Sequence, residues 1–255
     1  MCGITGVVFP AGYSGLGSTP GLQKAVHDEL VIVFEDLFSA SESRGTHAAG
    51  VSVSYAETIG EYKARNFTHV LRAPVRTSEL LKQPIYETKF REFFAKDKVV
   101  ARHAIGHARF ATNGGATENI NNHPHICGNI IGVHNGVIDD DLIWKTNPEL
   151  LKSRKSLCDS EALIALVNKL RGNNATAPRA WTSVLGEVDR QVDGWWAVAL
   201  QDALDPQKFV LARDSSTKVY YANIQELVWR PFRGLAFSSD RFQLEAILSK
   251  HFSPS

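Results

Sequence analysis

Apolar residues follow two rhythms along this chain, and the rhythm changes from segment to segment. The opening Cys2-Gly-Ile-Thr-Gly-Val-Val-Phe9 reads as a short buried strand that starts with the first residues. A Gly/Ser/Pro-rich loop covers 11–21. Leu22, Val26, Leu30, Val33 and Leu37 then keep the i, i+4, i+3 spacing of a helix, which ends in the polar run before Gly45. Val51-Ser-Val-Ser-Tyr55 alternates with period two and predicts a strand paired with 61–67 across a turn at Gly60. Residues 72–98 are charged and irregular, with a short helix at 89–96, and read as an insertion or lid.

Helical spacing returns at 159–170 and 177–192, and a last helix is predicted over 241–251. Between them, strand signals cluster at 195–201, 209–213, 219–222 and 234–238, with turns at Asp205-Pro206 and Asp214-Ser-Ser216, as in an antiparallel meander. Helices group apart from hairpins, so the fold class is α+β in one domain over 1–255, not a parallel βαβ series.

Composition mostly excludes. A formal net charge of +1 leaves no electrostatic footprint for nucleic acid or an anionic membrane. No apolar run approaches the roughly 18 residues that span a bilayer, and no basic-then-apolar leader opens the chain. Three cysteines, Cys2, Cys127 and Cys158, are a sparse and odd set that suits a reducing compartment. The expectation is a cytoplasmic globular protein.

Cys2 is the first residue with chemistry to offer. Removal of Met1 would free an α-amine with a pKa of about 7.7 on the same residue as a nucleophilic thiol. Nucleophile and base would then share one residue, as in N-terminal threonine enzymes. Four further segments can complete an amide-hydrolysing site. Gly106-His-Ala-Arg109-Phe-Ala-Thr112-Asn113 offers a guanidinium suited to gripping a carboxylate, with a hydroxyl three residues on. Gly132-Val-His134-Asn135-Gly136 is either a type I′ hairpin turn or a two-donor oxyanion hole, the Asn amide beside a Gly N–H. Asp159, opening the helix of 159–170, is either a first-turn acid or the receiver of a substrate ammonium. Arg44-Gly45-Thr-His47 brings an arginine to a helix-to-strand junction.

These segments, in this order behind a second-position cysteine, resemble the glutaminase domain of class II glutamine amidotransferases, within the N-terminal nucleophile hydrolases. The nearest likeness is to the glutaminase half of glucosamine-6-phosphate synthases. It is carried by Met1-Cys2-Gly3-Ile4, Arg44-Gly45 with Gly50, Gly106-His107 with Arg109 and Ala111-Thr112, Asn122-His123-Pro124, His134-Asn135-Gly136, and Asp159 with Glu161. The resemblance implies a four-layer αββα sandwich with two antiparallel sheets. It implies Cys2 as nucleophile with its own amine as base, Asn135 and Gly136 as oxyanion hole, and Arg44 as support for the nucleophile. Arg109, Thr112 and Asn113 would hold the glutamine carboxylate end, and Asp159 with the Gly136 carbonyl its ammonium. No cofactor and no metal enter that mechanism, and ammonia would pass to a separate synthetase or transferase.

The sequence departs from its nearest likeness at four places. Phe110 and Asn113 stand where tryptophan and histidine are common, His47 replaces an acid, and Cys158 replaces a Ser or Thr. Three other readings compete, the third being a non-catalytic binding module that retains the fold. One is a γ-glutamyl amidohydrolase of the same fold acting on a larger amide. The second is a metal enzyme, because five of nine histidines fall between 103 and 134, and His103 with His107, or His123, His125 and Cys127, have ligand-like spacing. Gly106 and the strand-like surroundings disfavour a helical His-x-x-x-His pair.

Overall fold

The computed structural model describes residues 2–9, 20–59, 63–91, 99–172, 178–205, 208–224 and 234–252. In chain order its strands are β1 (Gly3–Phe9), β2 (Ala48–Ile59), β3 (Lys63–Ala73), β4 (Val99–Arg109), β5 (His125–Cys127), β6 (Ile130–Ile138), β7 (Gly194–Asp202), β8 (Phe209–Arg213), β9 (Tyr220–Asn223) and β10 (Leu235–Ser238). The longer helices are α1 (Pro20–Ala40), α2 (Asp140–Thr146), α3 (Asp159–Arg171), α4 (Trp181–Gln191) and α5 (Arg241–Phe252).

Among the described residues the strands form two antiparallel sheets, ordered β3-β2-β4-β1-β10-β9 and β5-β6-β7-β8. The first strand therefore lies inside a sheet, with Ile4 opposite His107 on β4 and Thr5 opposite Ser238 on β10. Period-two alternation then sorts its side chains. Val7 and Phe9 join Leu30, Phe34 and Leu37 of α1 and Leu244 and Leu248 of α5 in one core. Ile4 faces the other way and meets Ile105, Val133, Ala199 and Phe237 between the sheets. A third cluster seats Leu163, Ile164 and Val167 of α3 and Val184 and Val188 of α4 on Ile130, Val198 and Leu200. Helices, sheet, sheet and helices stack in that order, the αββα arrangement that the resemblance implied.

The expected single meander after α4 is corrected. Strands β7 and β8 pair with each other in the four-stranded sheet, whereas β9 and β10 pair in the six-stranded one. The chain changes sheet at 214–219, where the Asp214 carboxylate accepts from the N–H groups of Trp196, Ser216 and Thr217. Local alternation predicts a strand but does not say which sheet receives it.

The stretch after β3 packs: Leu80, Tyr86 and Phe90 are buried in the α1 core, and Arg91 pairs with Glu35 of α1 at 2.7 Å. Only the start of the helix expected at 89–96 is described, as a π-helical turn over Glu87–Arg91. Its remainder, the loop over 11–19 and the Gly60 turn lie outside the described residues. The short helix α2 was not foreseen. Its start is capped by the Asp139 carboxylate, which accepts from Leu142 N–H at 3.1 Å. No described helix is long and apolar enough to cross a membrane.

Candidate active site

Cys2 stands at the leading end of β1, on the same strand face as Ile4 and so towards the space between the sheets. Three contacts from distant segments fix it. Its Sγ accepts from the Phe110 N–H at 3.3 Å, and Arg44 Nε donates to its carbonyl at 3.0 Å. Two residues on, Ile4 exchanges bonds with Ser239: its N–H donates to Ser239 Oγ at 3.0 Å, and its carbonyl accepts Ser239 N–H at 2.8 Å. Arg44 in turn faces Asp240 at 3.8 Å. Burial pushes the Cys2 thiol pKa up, against the Phe110 N–H and the Arg109 charge, which pull it down.

Sequence reasoning did not give His47 and Phe110 a role, yet they shape the wall beside the thiol. His47 Nδ1 accepts from the Ala111 N–H at 2.9 Å, and its ring lies 4.8 Å from that of Phe110. His47 N–H also bonds the Arg109 carbonyl at 3.0 Å, so the Arg44–His47 turn holds the end of β4 from beneath. Both residues stood among the departures from the family pattern, which was the only signal they gave.

The Asn135-Gly136 pair is not a hairpin turn: both residues lie within β6, paired to Ala197 and Trp196 of β7. Asn135 is buried and shares the strand face of Val133, which packs between the sheets. Gly136 has φ +154°, and a Cβ there would come within 2.0 Å of the Trp195 carbonyl oxygen. Only glycine fits that close backbone approach.

Asp159 is buried at the first turn of α3, and its Oδ2 accepts from Ile138 N–H at 3.2 Å. The carboxylate is thereby tied to β6 two residues beyond Gly136. Beneath it, Ser160 Oγ lies 2.8 Å from His134 Nδ1, and His107 Nε2 lies 3.2 Å from the His134 carbonyl oxygen.

Arg109 is buried, and its guanidinium is already engaged. Nη1 donates to Asn122 Oδ1 at 2.7 Å, while Nη2 donates to the carbonyls of Asn113 and Gly114 at 2.5 and 3.0 Å. Thr112 and Asn113 are exposed on the loop so gripped. Asn122 also donates to the Ala116 carbonyl at 2.7 Å, which closes the loop on itself. Arginine and asparagine thus hold the 110–116 loop at the mouth of the site.

The metal-like spacings resolve differently from expectation. Among the described residues the grouped ligand atoms are those of His123, His125 and Cys158, all within 4.8 Å of one another. Cys127 is not among them; its thiol donates to the Glu161 carbonyl at 3.7 Å. The His103 ring packs at 5.3 Å from Phe209, and the His107 ring at 3.9 Å from His123.

No protein-family model matches the chain. It is similar to glutamine–fructose-6-phosphate aminotransferase (isomerizing) of Vibrio vulnificus, 32% identical over 221 residues, which cover 85% of this chain and 29% of that one. The enzyme of the same name from Vibrio parahaemolyticus is 28% identical over 216 residues, with the same shares of the two chains. The chain thus spans about 29% of the length of these relatives. Among solved structures, glutamine phosphoribosylpyrophosphate amidotransferase of B. subtilis superposes with a TM-score of 0.54 over 96% of this chain and 43% of that one, at 17% identity. Along most of its length the chain is thus similar to glutamine-using aminotransferases, and it shares its two-sheet fold with a glutamine amidotransferase.

Proposed function

We propose that the chain hydrolyses the side-chain amide of L-glutamine through a γ-glutamyl thioester on Cys2 and releases ammonia to an acceptor enzyme. The observation that carries the reading is the Cys2 Sγ, held at the head of β1 by the Phe110 N–H at 3.3 Å, with Arg44 on its carbonyl. With Met1 removed, the Cys2 α-amine takes the thiol proton and the thiolate attacks the amide carbon. Asn135 and the Gly136 backbone stabilise the oxyanion. The intermediate collapses as the ammonium of Cys2 returns a proton to the leaving nitrogen. Water, deprotonated by the same amine, then cleaves the thioester to glutamate.

Asp159 receives the substrate ammonium together with the Gly136 carbonyl, and Arg109 with Thr112 and Asn113 receives the carboxylate. Because Arg109 already grips the Asn113 and Gly114 carbonyls, carboxylate binding exchanges those bonds and couples substrate to the loop. The whole chain acts as one glutaminase domain. The acceptor is a separate synthetase or transferase, which co-purification from the native host tests.

Incubation with a glutamine-mimicking electrophile, followed by intact mass and peptide mapping, tests the site. One adduct on Cys2 of a chain lacking Met1 is the expected result, absent in Cys2→Ala. Retained Met1, or no adduct on a processed chain, overturns it. A panel adding γ-glutamyl amides with larger amines separates a glutaminase from an amidohydrolase of bigger substrates.

A further inference from the structure

We propose that His123, His125 and Cys158 form a zinc site that clasps the start of β5 to the first turn of α3, apart from the thiol chemistry at Cys2. Their ligand atoms lie within 4.8 Å of one another, and all three residues are more than nine-tenths buried. Both ring nitrogens of His123 and Nε2 of His125 lack any hydrogen-bond partner. Buried polar atoms are nearly always paired, and here one unpartnered nitrogen from each ring lies beside a buried thiol that otherwise meets Asp159 Oδ1, at 3.7 Å, which points to an occupant.

The donor set selects that occupant. Two imidazoles and a thiolate suit zinc, with bonds of about 2.0–2.1 Å to nitrogen and about 2.3 Å to sulfur. Those bonds put ligand atoms roughly 3.3–3.6 Å apart in a tetrahedron, so a pair now at the 4.8 Å bound closes by about 1.2–1.5 Å on binding. Zinc takes imidazole in its neutral form, through one nitrogen of each ring. A cysteine with an ordinary pKa of about 8.5 enters as a thiol at neutral pH. Binding forms the zinc–sulfur bond and releases the thiol proton to solvent; no electron changes hands. Arg72 and Arg109 place positive charge near His125, which the new thiolate and the buried Asp159 and Glu161 offset.

Occupancy would lock the residue next to Asp159 and hence the start of the helix that carries the proposed ammonium anchor. The site is tested by binding and not by turnover, so its failure is distinct from failure of the glutaminase reading. Metal-stripped protein carrying Cys2→Ser and Cys127→Ser is titrated with zinc and, separately, with cobalt(II). The expected result is one zinc per chain, a raised melting temperature, release of one proton, and a thiolate-to-cobalt charge-transfer band. Cys158→Ser and His125→Gln in that background should each weaken zinc binding by at least roughly 100-fold. No uptake by the parent chain, uptake unchanged in Cys158→Ser, or a cobalt complex without the thiolate band each overturns the proposal. The cobalt spectrum needs no ligand variant, so it decides even if both substitutions unfold the chain.

Discussion

Three glycines separate two physical costs that are usually measured together. An alanine at Gly186, inside α4, meets nothing within 4 Å and has ordinary helical backbone. Gly172, which ends α3, also meets nothing within 4 Å, but its φ of +82° with ψ of 151° falls in a region that only glycine enters freely. Gly136 combines a φ of +154° with a Cβ position 2.0 Å from the Trp195 oxygen and 2.6 Å from His134 Nε2. Relative to wild type, Gly186→Ala should stabilise by about 0.5–1 kcal/mol through helix propensity. Gly172→Ala should cost about 1–3 kcal/mol from backbone strain alone. Gly136→Ala adds overpacking of about 1–3 kcal/mol against backbone that cannot rotate away, about 2–6 kcal/mol in all. Urea denaturation gives the three values from midpoint shifts at unchanged slope. If Gly136→Ala cost no more than Gly172→Ala, the close approach of β6 to the Trp195 carbonyl would be refuted. The claim that this position admits only glycine would fall with it.

Three further expectations follow from single groups. Asn135→Ala should lower kcat for glutamine hydrolysis about 10²–10³-fold with an intact fold by circular dichroism, the usual cost of one oxyanion donor; a fall under tenfold removes Asn135 from that role. Arg171 Nε and Asp202 Oδ2 pair at 3.1 Å with both side chains 4% exposed, so Arg171→Leu strands a buried carboxylate and should cost about 3–5 kcal/mol by urea denaturation. A loss under 1 kcal/mol would mean Asp202 finds solvent. Burial holds His103 down to about 4, slightly countered by Asp205, so between pH 6.5 and 4 the unfolded chain binds a proton that the folded chain refuses. Stability should therefore fall through that window as pH drops, by up to about 3 kcal/mol from this group. The His103→Gln variant should show a correspondingly flatter profile, and equal slopes would refute the assignment.

What the sequence made legible was chemistry carried by adjacent residues. Cys2, the Asn135-Gly136 pair and Asp159 could each be proposed from where they stand, and alternation found most strands because burial on one face leaves a local trace. Contacts between segments left none. Asn135-Gly136 carries the pattern of a turn, and only the neighbouring Trp195 carbonyl shows why glycine sits inside a strand. Arg109 reads as a free carboxylate clamp until Asn122, Asn113 and Gly114 are seen to hold it. Cys127 lay at the better sequence spacing for a ligand, yet the thiol that meets His123 and His125 is Cys158, brought there by the seating of α3 on the four-stranded sheet. Spacing along a chain predicts ligation only when one element carries all the ligands.

The placement of Cys2 itself rests on strand register more than on its own contacts. Side chains on β1 alternate between the α1 core and the inter-sheet space, so a slip of one residue would turn Cys2 away from the inter-sheet space and towards α1. Nothing in the strand's composition forbids that slip, since Ile4, Val7 and Val8 offer apolar groups to both faces. Register is instead pinned from outside, by Ser239 on both backbone groups of Ile4 and by Arg44 on the Cys2 carbonyl. Arg44 and Ser239 lie on opposite sides of the chain's sequence, and Asp240 links them through its 3.8 Å contact with Arg44. The leading end of the first strand is thus held by Arg44, before β2, and by Ser239, just after β10, which ties the placement of Cys2 to closure of the six-stranded layer.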